Sequence, residues 1–134
     1  MEKLSEIASV GINHRIRKED VVQEGTYHLL YPQHLGENGN IDWDACGKIH
    51  GDNSNIKTIV EQGDIFVIII GPKCGQFFKH TESRSFVTNS AFAVIKSKSD
   101  LFERIENKQA EIKSLSKGSL VSRIWRKDLM DLEV

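Results

Sequence analysis

The strongest pattern along the chain is the uninterrupted apolar run Ile65-Phe66-Val67-Ile68-Ile69-Ile70, bounded by Gly63-Asp64 before it and Gly71-Pro72 after it. A strand with one wet face alternates apolar and polar residues. A continuous, mostly β-branched run between glycines therefore predicts a strand buried on both faces. Thr26-Tyr27-His28-Leu29-Leu30-Tyr31 has strand composition and is ended by Pro32. Ser85-Phe86-Val87-Thr88 and Ala91-Phe92-Ala93-Val94-Ile95 read as two more short strands or one interrupted strand. Turn chemistry separates these segments, at Gly36-Glu37-Asn38-Gly39-Asn40 and again at Gly51-Asp52-Asn53-Ser54-Asn55.

After Ser99 the period changes. Leu101, Ile105, Ile112 and Leu115 recur at helical spacing with charges between them, and Ser99 or Asp100 can cap the start. The spacing predicts one amphipathic helix over about residues 100–115. Shorter features flank this core. Leu4 to Ala8 reads as one helical turn, and Asn13-His14-Arg15-Ile16-Arg17-Lys18 as a loop or the start of an edge strand. Leu120 to Ile124 reads as extended, and Lys127 to Leu132 as a final helical turn. The fold class is α+β, a β-sheet core with one substantial helix in the C-terminal half. The 134 residues fit one domain, 1–134, and leave no room for a second core.

Composition adds one qualification. With 39% hydrophobic and 28% charged residues the chain has the make-up of a folded soluble protein. Its net charge of -1 does not favour a polyanion partner, because phosphate-tracking proteins are usually basic. The charge is uneven, however. Residues 1–64 lean acidic, with Glu19-Asp20 and Asp42-Trp43-Asp44, whereas from Lys96 to Lys127 lysine and arginine outnumber aspartate and glutamate. The bland reading of that excess is the solvated face of a helix. Two cysteines, Cys46 and Cys74, make no disulfide framework, and the polar start Met1-Glu2-Lys3 does not suit a signal peptide. The longest apolar run is far short of the roughly 20 residues that span a bilayer. A cytoplasmic protein with reduced thiols and no membrane contact is the expectation.

Three catalytic chemistries fail on spacing. Cys46 and His50, and Cys74 and His80, do not form the paired motifs of a zinc site, so no metal or other cofactor is expected. Gly71-Pro72-Lys73-Cys74-Gly75 follows a buried strand as a phosphate loop would, but it lacks the required spacing, and Pro72 removes a backbone donor. Serines, His80 and Asp64 are present without any nucleophile elbow. No enzymatic role is expected.

The order of motifs resembles the target-recognition domains of type I restriction–modification specificity subunits. Lys3-Leu4-Ser5-Glu6-Ile7-Ala8-Ser9-Val10 is similar to the family's opening "xIAxV" stretch. Tyr27 to Leu35 followed by Asn38-Gly39-Asn40-Ile41-Asp42 looks like its extended segment and "dxxNGxID" turn. Gln62-Gly63-Asp64-Ile65-Phe66-Val67 matches the "pGDIL" strand, and Val87 to Ile95 the "vxnqxfaVIr" strand. Gly118-Ser119 through Ile124, then Lys127 to Val134, resembles the closing "GSxxxrixxxdLxdLeI" stretch. Each motif alone is unspecific, but together they run nearly the whole chain in the right order. One departure is clear. The family's "sxRGxxG" arginine is missing from Ile68-Ile69-Ile70-Gly71, so no role of that arginine carries over.

The resemblance implies a twisted mixed sheet and a single recognition domain without the long spacer helices of the full subunit. It also implies a function. Such a domain reads one half of a bipartite site in double-stranded DNA for a partner adenine methyltransferase (modification) subunit and a restriction subunit, and catalyses nothing itself. Candidate DNA-binding residues lie on predicted loops: Asn13, His14, Arg15, Arg17 and Lys18 on one, and Lys73, Gln76, Lys79, His80 and Arg84 on another. Lys117, Ser119 and Arg123 are candidates for holding the phosphate backbone. Trp43 and Trp125 are expected to pack, not to stack on bases. A homodimer reading a symmetric site is compatible with this picture. So is an alternative, a protein-binding regulator that occupies the specificity position without reading DNA.

Overall fold

The computed structural model describes residues 2–118 and 120–134. The run beginning at Ile65 is the axis of the fold. β4 (Ile65–Ile68) pairs antiparallel with β5 (Phe77–Lys79) on one side and β7 (Phe92–Lys96) on the other, and β1 (Ser9–Gly11) closes this sheet beyond β7. A second sheet is built on β2 (Tyr27–Leu30), flanked by antiparallel β3 (Gly47–Ile49) and parallel β6 (Phe86–Thr88). The α+β class expected from the pattern is present, with the β structure divided between two sheets, of which the smaller is mixed.

Both faces of β4 are buried, as the unbroken apolar run requires. Phe66 and Ile68 join Leu30, Phe86, Phe92 and Val94 in a core between the two sheets. Ile65 and Val67, with Ile69, Ala93 and Ile95, point the other way, under the helices. Those helices are α1 (Leu4–Ile7), α2 (Phe102–Glu106), α3 (Gln109–Ser114) and α4 (Arg126–Met130), which contribute Leu4, Ile105, Ile112 and Leu129 to that layer. A third cluster lies on the outer face of the smaller sheet, where Ile16 from the loop after β1 covers Leu29, Ile49 and Val87. The order through the molecule is helices, four-stranded sheet, three-stranded sheet, covering loop. None of the described helices is long and apolar enough to cross a membrane.

One local outcome differs from the pattern, and two others settle alternatives it left open. The single helix expected over 100–115 is two short ones. At Asn107 and Lys108 the hydrogen bonding tightens, with Lys108 N–H donating to the Ile105 carbonyl at 2.9 Å. Asparagine competes for backbone groups and is a weak helix former there. The cap expected at Ser99 or Asp100 falls instead on Leu101, and the Asp100 carboxylate accepts from Phe102 N–H at 3.0 Å just ahead of the helix. Phe86–Thr88 and Phe92–Lys96 are separate strands in different sheets. The chain crosses between the layers at Asn89, whose side chain accepts from Ala91 N–H at 3.1 Å. Finally, the Asn13 to Lys18 segment is a loop that ends in a 3-10 turn over Lys18–Asp20, not an edge strand.

Candidate nucleic-acid interface

The loop after β1 is fastened at the start and in the middle of its basic stretch. Asn13 is buried at 1% exposure. Its side-chain amide donates to the carbonyls of Thr58 (3.1 Å) and Thr88 (2.9 Å), and its oxygen accepts from the N–H groups of Lys57 (2.6 Å) and Thr58 (2.8 Å). A group with every bond used by the protein has none to offer a base. Asn13 therefore positions the loop and is not one of the DNA-contacting residues expected from the sequence. Ile16 is the second anchor, packed on the smaller sheet. Between and beyond these two, His14, Arg15, Arg17 and Lys18 stand exposed, with Arg17 loosely paired to Glu19 at 3.6 Å.

The second basic stretch begins in the turn joining β4 to β5. Gly71 and Gly75 take φ of 105° and 97°, which lets the chain reverse tightly and hold Lys73 and Gln76 out in solvent. Lys79 is occupied by Asp100 at 2.9 Å. His80 is buried, hydrogen-bonded through Nε2 to the Arg84 carbonyl and packed edge-on against Phe86 at 4.8 Å. Like Asn13, it is a structural residue and not an exposed reader. Arg84 is exposed, and its guanidinium lies 4.6 Å from the centre of the Trp43 ring.

The third group lies at the C-terminal side. Lys117 and Arg123 form a backbone bridge, and Arg123 also bridges Ile70, with Gly71 N–H donating to the Ser122 carbonyl at 2.9 Å. This places the Lys73–Gln76 turn beside Lys117 and Arg123, so two groups that are more than forty residues apart in the chain share one end of the large sheet. Lys117 pairs with Asp128 at 3.3 Å, and the Arg123 guanidinium stacks on Trp125 at 4.3 Å. Ser119 lies outside the described residues. Leu120, Val121 and Trp125 are exposed at 97%, 59% and 52%, an apolar strip beside the basic one.

Residues that the sequence pattern did not single out surround Arg84. Trp43 has His28 edge-on at 5.3 Å, and His28 is the cross-strand partner of Lys48. Burial, then the charges of Arg84 and Lys48, hold the His28 pKa below its ordinary value, with Asp44 acting in the opposite direction. A His-Lys cross-strand pair is legible only once both strands are known, and Gly47–Ile49 carries no strand signature.

The cysteines do not suit nucleophilic or metal work. Cys46 lies against His34 (3.6 Å), not His50, and its thiol donates to the Asp42 carbonyl at 3.4 Å. Burial, then the Asp42 carboxylate, pushes its pKa up to about 11. Among the described residues no three His, Cys, Asp or Glu side chains cluster as a metal site would need. Against an ordinary thiol value of 9.0, a pKa near 11 leaves about a hundredfold less thiolate at pH 8. Iodoacetamide alkylation mapped by mass spectrometry should therefore modify Cys46 about a hundredfold more slowly in the native protein than in urea. Equal rates in the two states would remove the basis for reading it as a buried, inert thiol.

No family model and no curated protein sequence matches the chain. Solved structures do. The type I restriction–modification S subunit from M. genitalium superposes with a TM-score of 0.64 at 16% identity, over 98% of this chain and 32% of that one. The HsdS subunit from Thermoanaerobacter tengcongensis gives 0.71 at 12% identity, over 98% and 31%. The chain has the fold of about one third of these type I restriction–modification S subunits. A chain from a structure of complex assembly and conformational transition in the type I R-M system agrees, with a TM-score of 0.69 at 11% identity over 97% and 32%. The chain thus spans about a third of the length of each of these structures. The arginine absent from the turn motif would fall at Ile70, whose backbone bridges Arg123.

Proposed function

We propose that the chain is a DNA-reading module that recognises one half of a bipartite double-stranded site and directs a partner adenine methyltransferase and endonuclease to it. The observation that carries this reading is the superposition of almost the whole chain on one third of three type I restriction–modification chains. Two further features support it. Exposed polar and basic side chains stand on loops pinned to a rigid two-sheet core, at His14, Arg15, Arg17 and Lys18 and at Lys73, Gln76 and Lys117, with Arg123 half-buried beside them. The ends of the domain also lie side by side, with Leu4 N–H donating to the Leu132 carbonyl and Val134 N–H to that of Glu2 (2.8 and 2.9 Å). A module that enters and leaves at one point can be carried by a longer chain without distortion. Nothing in this role requires the module itself to make or break a bond.

The test is a selection from randomised duplexes, run with and without a methyltransferase subunit. One short sequence should be enriched, each mismatch in it should weaken binding by about 1–3 kcal/mol, and affinity should fall steeply with salt. A flat result in both arms would sink the reading. The exposed strip of Leu120, Val121 and Trp125 favours a second reading, docking on the modification subunit without DNA contact. Tight binding to that subunit with no affinity for any duplex would select it.

A further inference from the structure

Two separated segments of chain meet on the ring of Trp43, and a third lines the depression beside it. His28 comes from β2, Lys48 from β3 as its direct cross-strand partner, and Arg84 from the segment entering β6. The inner edge of the indole packs on Phe86 at 5.5 Å, which fixes the ring against the inter-sheet core. Arg84 lies over one face of that fixed ring, so its guanidinium is held in place while its hydrogen-bond donors stay unused by any carboxylate among the described residues. Lys48 is likewise outside the ion pairs formed by the described residues, whereas Lys79, Lys96 and Lys117 each hold a carboxylate. Beside them is an open depression of about 330 Å³ lined in part by Gln23, His28, Trp43, Asp44 and Lys48.

We infer that Lys48, Arg84 and His28, arranged around Trp43, form a contact site for the phosphodiester backbone of DNA, with His28 as a protonation-dependent third donor. The inference rests on the DNA-reading proposal and adds a site to it. Two permanent cations with one carboxylate, Asp44, on the rim leave an excess of positive charge. The same excess is what opposes the charging of His28 after burial has done so. An anion placed between Arg84 and Lys48 reverses that field and favours the imidazolium. The site is shallow and open, which suits one phosphate of a polymer held at many points better than a free ion. Arg84 set on an aromatic face is pre-organised, so less side-chain freedom is lost on binding.

Fluorescence anisotropy with a labelled duplex tests this, using a scrambled duplex and any duplex enriched by selection. For Lys48→Ala/Arg84→Ala, affinity should fall by tenfold or more for both duplexes alike. The slope of log affinity on log salt should become shallower by about 0.9, the value for the one phosphate no longer neutralised. Lowering the pH from 7.5 to 5.5 should tighten wild-type binding, because the depressed His28 pKa rises when phosphate is bound and binding takes up a proton. His28→Asn should flatten that dependence while leaving affinity at pH 7.5 within about twofold. Arg84→Lys should lose part of the affinity but keep the salt slope, since charge remains and stacking does not. If wild type binds and the double variant keeps both its affinity and its slope, the inference fails and the DNA-reading proposal stands. If wild type binds no duplex either alone or with a methyltransferase subunit, both fail together.

Discussion

Asn13→Ala should lower the stability of the protein by about 3–5 kcal/mol, enough to leave a domain of ordinary stability near the edge of unfolding. The side chain bonds to backbone groups from two segments, Lys57–Thr58 and Thr88, and is itself carried on the loop that follows β1. β1 belongs to the large sheet and Thr88 to the small one, so this one amide ties the two layers at their edge. Truncation leaves two N–H groups and two carbonyls without their partner in a buried to part-buried setting, each at about 1–3 kcal/mol if it finds no substitute. A urea midpoint lower by about 2 M is the measurable form of this loss. Asn13→Asp keeps the size and the acceptor but turns the donor into a carboxylate oxygen facing two carbonyls, and should be comparably damaging at neutral pH. A midpoint shift under about 0.5 M for both variants would mean that the loop is held by Ile16 alone.

That residue also shows where sequence reading of the site stops. Asn13 opens a polar, basic stretch, and nothing in the stretch distinguishes an asparagine that reads a base from one that satisfies backbone. The difference lies in Thr58 and Thr88, distant in sequence, which bring unpaired groups to it. His80 is a similar case, because the Arg84 carbonyl and the Phe86 ring that enclose it are set by the return into β6. His14, Arg15, Arg17, Lys73 and Gln76 are legible as exposed because they sit on turns punctuated by glycine or by the polar run itself. Trp43 reads as a packing residue, and its inner edge does pack. Its outer face becomes a platform for Arg84 only through the pairing of β2 with β3 and β6.

The fold divides in the same way. β4 is plain because burial on both faces removes every polar residue from the run, and β2, β6 and β7 are visible as short apolar segments. β1, β3 and β5 are three residues each, and Gly11, Gly47 and Lys48 carry little strand preference. Their strand state comes from partners such as Val10 opposite Ile95 and Phe78 opposite Phe66. The division into two sheets is invisible in the pattern because Phe86–Thr88 and Phe92–Lys96 are equally buried. Periodicity reports how many faces are covered, not which layer covers them.

Phe66→Ala should test that layering directly. Phe66 is 1% exposed and meets three other rings, Phe78 at 5.6 Å, Phe86 at 5.5 Å and Phe92 at 6.0 Å. Truncating a phenylalanine in such a site costs about 3–5 kcal/mol through reduced transfer energy and the cavity left behind, and each aromatic pair adds about 0.5–1.5 kcal/mol. The loss is directional. Phe86 belongs to the small sheet and Phe92 to the large one, so the cavity opens between the layers, while the helix-side core around Ile65, Val67, Ile105 and Ile112 stays packed. In native-state hydrogen exchange, the amides of β2 and β6 should therefore lose more protection than those joining β4 to β7. Phe66→Leu, which fills most of the space, should show the same order with a smaller amplitude. Equal loss of protection in both sheets would mean that the two layers open as one unit, and that the inter-sheet core supports the helix layer as firmly as it supports the small sheet.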